Sequence, residues 1–314
     1  MKKRIYGMIL ALAIILSVAV PGFETKAATL GYVTSAQEIG CVAGKSVTIA
    51  WNAVVGAKGY EVAIAIDGQI IFKKDVGNTT QVTIPTTAVG KFITFGVIPY
   101  DDFSYGTAKY FRGATAPVAP KNIALYGWKN GTGELAVSFN GYDSSVADYR
   151  PDGYEIIFYN LKGKKIGKAD VSGYNSSIKK TLNKAKNAGV KVKMRSYIEI
   201  ANGKRAYSNF TKPKTFIPYA KITDLTGGTT KTVTWKGIKN AKSYTIYRTN
   251  NGGNSFKKVK TVSGSTRSTT VSGCGGYGMS YGVRVVANVK VKGKKYKSSK
   301  QQIKNYTYNY LEYR

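Results

Sequence analysis

There is no histidine among the 314 residues. That removes the commonest general base and the commonest metal ligand at once. Carboxylates are scarce as well: 16 Asp and Glu stand against 48 Lys and Arg, a formal net charge of +32. Two cysteines, Cys41 and Cys274, cannot build a disulfide framework. They read as two separate buried thiols, with an intermolecular bridge as the alternative. Helical periodicity is nearly missing too. The one candidate, Leu182 to Asn187, ends at Gly189 and is too short to set the fold class. These absences predict a non-enzymatic, all-β chain without cofactor or metal, in which each domain stands on its own hydrophobic core.

The N-terminus reads as an export signal, residues 1–27. Lys2, Lys3 and Arg4 precede an apolar run from Met8 to Val20, broken by Pro21 and Gly22, and Thr25-Lys26-Ala27 offers a cleavage site. The run is shorter than the roughly 20 residues that span a bilayer, and a retained anchor is the alternative. Cys41 follows Glu38-Ile39-Gly40, a poor lipobox too far from that run. No later apolar stretch reaches membrane length, and Tyr313-Arg314 carries no sorting motif. The expectation is a secreted, soluble, extracellular protein.

One pattern recurs three times: an alternating strand ending in a large aromatic, a turn, then a tyrosine opening the next strand. The copies run Val47-Thr48-Ile49-Ala50-Trp51 to Gly59-Tyr60, Leu135-Ala136-Val137-Ser138-Phe139 to Gly153-Tyr154, and Thr232-Val233-Thr234-Trp235 to Ser243-Tyr244. Their aromatics recur at the spacing of a whole domain, and the second copy carries a longer loop, Asn140 to Asp152. Near each domain end an alternating row points inward: Ile93, Phe95 and Val97; Val190, Val192 and Met194; Tyr281, Val283 and Val285. Short strands at turn-punctuated spacing predict β-sandwiches. Proline clusters at 117–120 and 213–218 mark the boundaries and suggest stiff linkers between beads.

These residues resemble the fibronectin type III family, whose pattern has a Trp on the second strand, a Tyr on the third and Tyr-x-φ-x-Val-x-Ala on the sixth. The third copy matches best, with Trp235, Tyr244 and Tyr281-Gly282-Val283-Arg284-Val285-Val286-Ala287. The first copy has Ile93 at the corner position, and the second has Phe139 for Trp and Val190 at the corner. The resemblance implies three tandem immunoglobulin-like (fibronectin type III-like) β-sandwiches at 28–117, 118–217 and 218–314. It also gives Tyr281 the role of a tyrosine corner, with its hydroxyl on nearby backbone, and places Cys274 where the family has a leucine. Such modules commonly serve as spacers or protein-binding scaffolds and also accompany carbohydrate-active enzymes. The Lys-rich signal and the lack of a disulfide framework resemble Gram-positive bacterial secreted proteins.

Other motif matches dissolve on inspection. Gly273-Cys274-Gly275-Gly276-Tyr277-Gly278 copies a dinucleotide fingerprint by letter, but a strand rather than a helix follows. Ser-x-x-Lys spacings at Ser176, Ser177 and Ser255 lack the helix and companion motifs of a hydrolase. Asp101-Asp102 and Asp148 with Asp152 read as turn chemistry. Tyr306, Tyr308 and Tyr310 form a row that either packs against a sheet or stacks on sugars.

Charge is the strongest functional signal. Residues 29–117 hold seven basic and six acidic side chains, residues 118–217 hold 18 and 7, and residues 218–314 hold 19 and 2. A solubilising coat is one reading. The sharper one is a C-terminal end that binds polyanions such as anionic cell-wall polymers, because a plain coat would not leave the first domain neutral. The candidate residues are Lys257, Lys258 and Lys260 on one segment and Lys290, Lys292, Lys294, Lys295 and Lys297 on a hairpin, with both groups expected on one sheet face. Other partners in reach of such modules are proteins or glycans. An accessory carbohydrate-binding or spacer role is the rival reading.

Overall fold

The computed structural model describes residues 30–129, 132–275 and 280–298. The export signal and the tyrosine row 306–310 lie outside the described residues. The regular structure of the described residues is almost entirely strand, with two short 3-10 segments, Asn183–Ala185 and Ala201–Gly203. The first of these falls on the stretch whose sequence alone hinted at helix.

The first sandwich contains β1 (Ala36–Val42), β2 (Ser46–Trp51), β3 (Gly59–Ile66), β4 (Gln69–Asp75), β5 (Gln81–Pro85), β6 (Phe92–Tyr100) and β7 (Lys109–Ala114). Its sheets run β1-β2-β5 and β4-β3-β6-β7. The second contains β8 (Lys121–Lys129), β9 (Glu134–Asn140), β10 (Gly153–Asn160), β11 (Lys165–Ser172), β12 (Ser177–Thr181), β13 (Val190–Glu199), β14 (Arg205–Tyr207) and β15 (Lys214–Phe216). There β12-β9-β8 faces β11-β10-β13, and both β14 and β15 pair with β13. The third contains β16 (Ile222–Thr226), β17 (Lys231–Trp235), β18 (Ala241–Thr249), β19 (Lys257–Ser263), β20 (Ser268–Val271), β21 (Gly282–Val291) and β22 (Lys294–Lys297), arranged as β16-β17-β20 against β19-β18-β21-β22. Three strands against four in the first and third, with the last edge split into β14 and β15 in the second, is the fibronectin type III-like, immunoglobulin-like sandwich.

The repeat seen in sequence is the centre of each core. Trp51 meets Tyr60 with ring centroids 5.5 Å apart, Phe139 meets Tyr154 at 4.9 Å and Trp235 meets Tyr244 at 5.3 Å, all with steeply inclined planes. Such edge-on pairs exploit the ring quadrupole beyond simple burial. The three alternating rows on β6, on β13 and at the start of β21 are all buried, none more than 5% exposed. Each fully buried aliphatic or aromatic side chain contributes roughly 1.5–3 kcal/mol.

The tyrosine-corner expectation is corrected. The hydroxyl-to-backbone bond is found at the third-strand tyrosines: Val54 N–H donates to Tyr60 Oη and Ile238 N–H to Tyr244 Oη, both at 2.8 Å. Each donor sits in the loop entering that strand, where the N–H has no ladder partner, and the hydroxyl supplies one. Tyr281 is 2% exposed in the core, and the Lys231 ammonium lies 4.9 Å from its ring centroid. Cys274 is fully buried in the third core, as a leucine would be, and neither cysteine is in a disulfide.

Most of the first sandwich is one compact unit, and the second and third, with residues 42–45 and 87–91, form another. Within the latter, Leu161 and Ile217 belong to the third sandwich's core cluster. A Cβ at Gly189 would run into both of their side chains. Lys239 N–H donates to Asn187 O at 2.8 Å across the same junction. The linker Ile217–Ala220 is therefore mostly buried, with Ile217 and Ala220 each 4% exposed. Proline there does not mark an open hinge.

Candidate functional site

The four-stranded sheet of the third sandwich presents its outer face away from the core. Directly paired residues share a face, so the register sorts the candidate lysines. Lys290 pairs with Lys295 and Asn288 with Lys297, while the intervening Val289 pairs with Tyr296. Val289 and Val291 are 2% and 7% exposed, so they point inward and Lys290, Lys295 and Lys297 point out. On the other edge, Lys258 pairs with Tyr247, which pairs in turn with Arg284. Lys258, Arg284, Lys290, Lys295 and Lys297 thus share one face, spread over about 15 by 20 Å by strand and residue spacings.

The remaining candidates do not join them. The ladder between β18 and β19 slips between Ile246 and Tyr247, so Lys260 pairs with the core residue Ile246. Lys257 pairs with Arg248, whose guanidinium reaches Ser272 O on the inner side. Lys294 pairs with the buried Val291. Lys292 is in the turn, with φ 47° followed by Gly293 at 78°, the geometry of a tight two-residue hairpin. Its ammonium donates to Lys162 O at 3.2 Å. The expectation that all eight lysines add on one face is corrected by this bulge and this turn.

Two members of the face were missed in sequence. Arg284 lies within the alternating row that marked Val283 and Val285 as core, and that alternation itself puts it outside. Its guanidinium carbon sits 3.9 Å from the Phe256 ring centroid, which fixes the charge in place. Asn288 donates to Ser243 Oγ and Thr245 Oγ1, both at 3.0 Å, filling the centre of the face with neutral polar groups.

No acid offsets these cations. The third sandwich's single described carboxylate, Asp224, lies on β16 in the opposite sheet, and no described Lys or Arg of this sandwich is in an ion pair. The corresponding sheet of the second sandwich shows the contrary arrangement. Glu155, 4% exposed, is gripped by Lys168 at 2.7 Å and Arg195 at 2.6 Å. Burial pushes its carboxyl up, but the two cations outweigh that and hold it below the usual carboxylate range. Arg205 lies between Asp170 and Glu199, and Arg195 stacks 3.5 Å from the Tyr207 centroid. On that sheet Lys168, Arg195 and Arg205 are held by carboxylates, whereas the outer-face cations of the third sandwich have none beside them.

Elsewhere the acids are occupied by turns and pairs. Asp101 Oδ1 accepts from Phe103 N and Ser104 N, Asp102 pairs with Lys58, and Asp152 accepts from Glu199 N. Among the described residues there is no cluster of three or more Cys, Asp or Glu able to hold a metal ion, and no helix long and apolar enough to cross a membrane.

No family model matches the chain, and no curated protein does. Among solved structures it is similar to the FN1–FN3 domains of chicken CNTN1, at 16% identity over 82% of this chain and 93% of that one, with a TM-score of 0.29. It is also similar to a two-domain fibronectin type III segment of chicken tenascin, at 14% identity over 58% and 97%, with a TM-score of 0.31.

Proposed function

We propose that this chain is a secreted bacterial binding or scaffold protein without catalytic activity, whose third sandwich attaches it to polyanions such as anionic cell-wall polymers. The boundaries 28–117, 118–217 and 218–314 then separate a near-neutral module from two basic ones. The observation that carries the reading is the outer face bearing Lys258, Arg284, Lys290, Lys295 and Lys297 with no carboxylate among them. Each exposed charge pair contributes only about 0–1 kcal/mol, but a polymer engages several together. Missing histidine and acids already tied into turns and ion pairs support the non-enzymatic part. The leader-like pattern of Lys2 to Val20 supports export.

The test is retention of the full chain on immobilised teichoic acid and heparin along a salt gradient. Screening acts over roughly 8–10 Å at physiological ionic strength, so retention should fall steeply with salt. Changing Lys258, Lys290, Lys295 and Lys297 to Glu should release the protein at much lower salt. Changing Lys164, Lys165, Lys179 and Lys180 of the second sandwich to Glu alters net charge equally and should shift it far less. Equal shifts would mean that net charge alone, and not this face, governs attachment.

A further inference from the structure

The second sandwich differs from its neighbours in one connection. The loop from β9 to β10, Gly141–Asp152, is much longer than its counterparts 52–58 and 236–240. Beside it lies a cavity of about 800 Å³, within the usual size range of small-ligand pockets. Its lining is mixed: Tyr142 and Tyr149 supply rings, Asn122, Asn140 and Ser176 neutral polar groups, and Asp143 a carboxylate.

A long loop is normally a source of conformational freedom, but this one is fastened from within. Asp143 Oδ1 accepts from Ser145 N at 3.0 Å and from Ser145 Oγ at 2.6 Å, and Asp143 O accepts the Val146 and Ala147 N–H groups. Ala147 is 7% exposed and packs against Gly90, whose carbonyl accepts the Asp148 N–H at 2.8 Å. Arg150 is clasped between two rings, 4.7 Å from the Tyr142 centroid and 4.9 Å from Tyr174, and donates to Gly173 O at 3.4 Å. At the loop's start a Cβ on Gly141 would collide with the Tyr154 hydroxyl, so only glycine lets the backbone pass there. The walls are thus ordered before any ligand arrives, which lowers the entropic cost of binding.

We infer that this cavity is a binding site for a short, uncharged stretch of glycan. A pyranose offers an apolar C–H face and a rim of vicinal hydroxyls. Tyrosine rings match the first, and amides, hydroxyls and one ionised carboxylate match the second. Hydrogen bonds from Ser145 hold the Asp143 carboxyl below the usual range, so it stays an acceptor at neutral pH. Of the two lining cations, Lys121 acts on Asp143, and Arg150 is occupied by its two rings and a carbonyl. That balance suits a neutral ligand and sets this site apart from the cationic face of the third sandwich, on which it does not depend.

The test is calorimetric titration of the full chain, at high salt, with tetrasaccharides of β-1,4-linked glucose, β-1,4-linked N-acetylglucosamine and α-1,4-linked glucose. At least one should bind. Tyr142→Ala removes a platform, and Ser144→Trp places a bulky group at an exposed rim position without touching the core; each should weaken binding roughly tenfold or more. The four-lysine Glu variant of the third sandwich should bind the sugar as the wild type does. Failure of all three sugars to bind, or binding that survives Ser144→Trp in a folded protein, overturns the proposal.

Discussion

Glu38 on β1 is 7% exposed, and its Oε2 accepts the Ala114 N–H of β7 at 3.0 Å, while its Oε1 is buried without a partner. Burial pushes its pKa from 4.5 to about 7, only partly opposed by that N–H. The folded state therefore holds a proton that the unfolded state has released. Stability from this group is fully present below pH 4.5 and is lost as pH rises to about 7, a fall of about 3 kcal/mol. With no histidine in the chain, no other side chain of ordinary pKa titrates in the upper part of that window, from about pH 5.5 to 7. Urea unfolding of the wild type should show the fall and Glu38→Gln should not; a flat wild-type profile would refute it. The third-strand tyrosines give a second prediction at this scale. Tyr60→Phe and Tyr244→Phe each strand one N–H, of Val54 and Ile238, and each should cost roughly 1–3 kcal/mol in chemical denaturation. Loss of less than a few tenths from both would show that those N–H groups find other partners.

At the scale of strands, what could be read in advance was whatever follows a period of two. Val47, Ile49 and Trp51, or Val283 and Val285, declare their face by alternation alone, and the aromatic pairs sit where the repeat put them. The candidate lysines were half legible for the same reason. Val289 and Val291 fix where Lys290 points, but the bulge opposite Ile246 and Tyr247 leaves no local signature and turns Lys260 toward the other side. Lys292 looked like one more strand position because Lys-Gly is a weaker turn signal than Asn-Gly or Asp-Gly. The cavity was illegible for a different reason: its lining converges from Lys121–Asn122, Asn140–Pro151 and Ser176, and only the length of the loop hinted at it. Proline at 213–218 suggested a stiff linker between separate beads, whereas the burial of Ile217 depends on Leu161 and Gly189, distant in sequence.

For the whole molecule, the buried junction governs how the chain comes apart. Limited proteolysis should spare residues 217–220, where Ile217 and Ala220 are each 4% exposed, and leave the second and third sandwiches as one fragment. Gly189→Val forces a side chain against Leu161 and Ile217, an overpacking that costs typically 1–3 kcal/mol. It should expose that segment to cleavage. Early wild-type cutting at 217–220 would mean that the junction opens freely. The junction also works as a gauge. The cavity beside Gly141–Asp152 and the lysine face on β21 and β22 lie in one compact unit, joined by the packing of Leu161 and Ile217. A wall strand that offers uncharged sugar at one point and phosphate at another would meet both only where its own repeat matches the span between them. Its second contact would then form at the high local concentration that such a match confers. Selection would act on the rhythm of the polymer as much as on its chemistry.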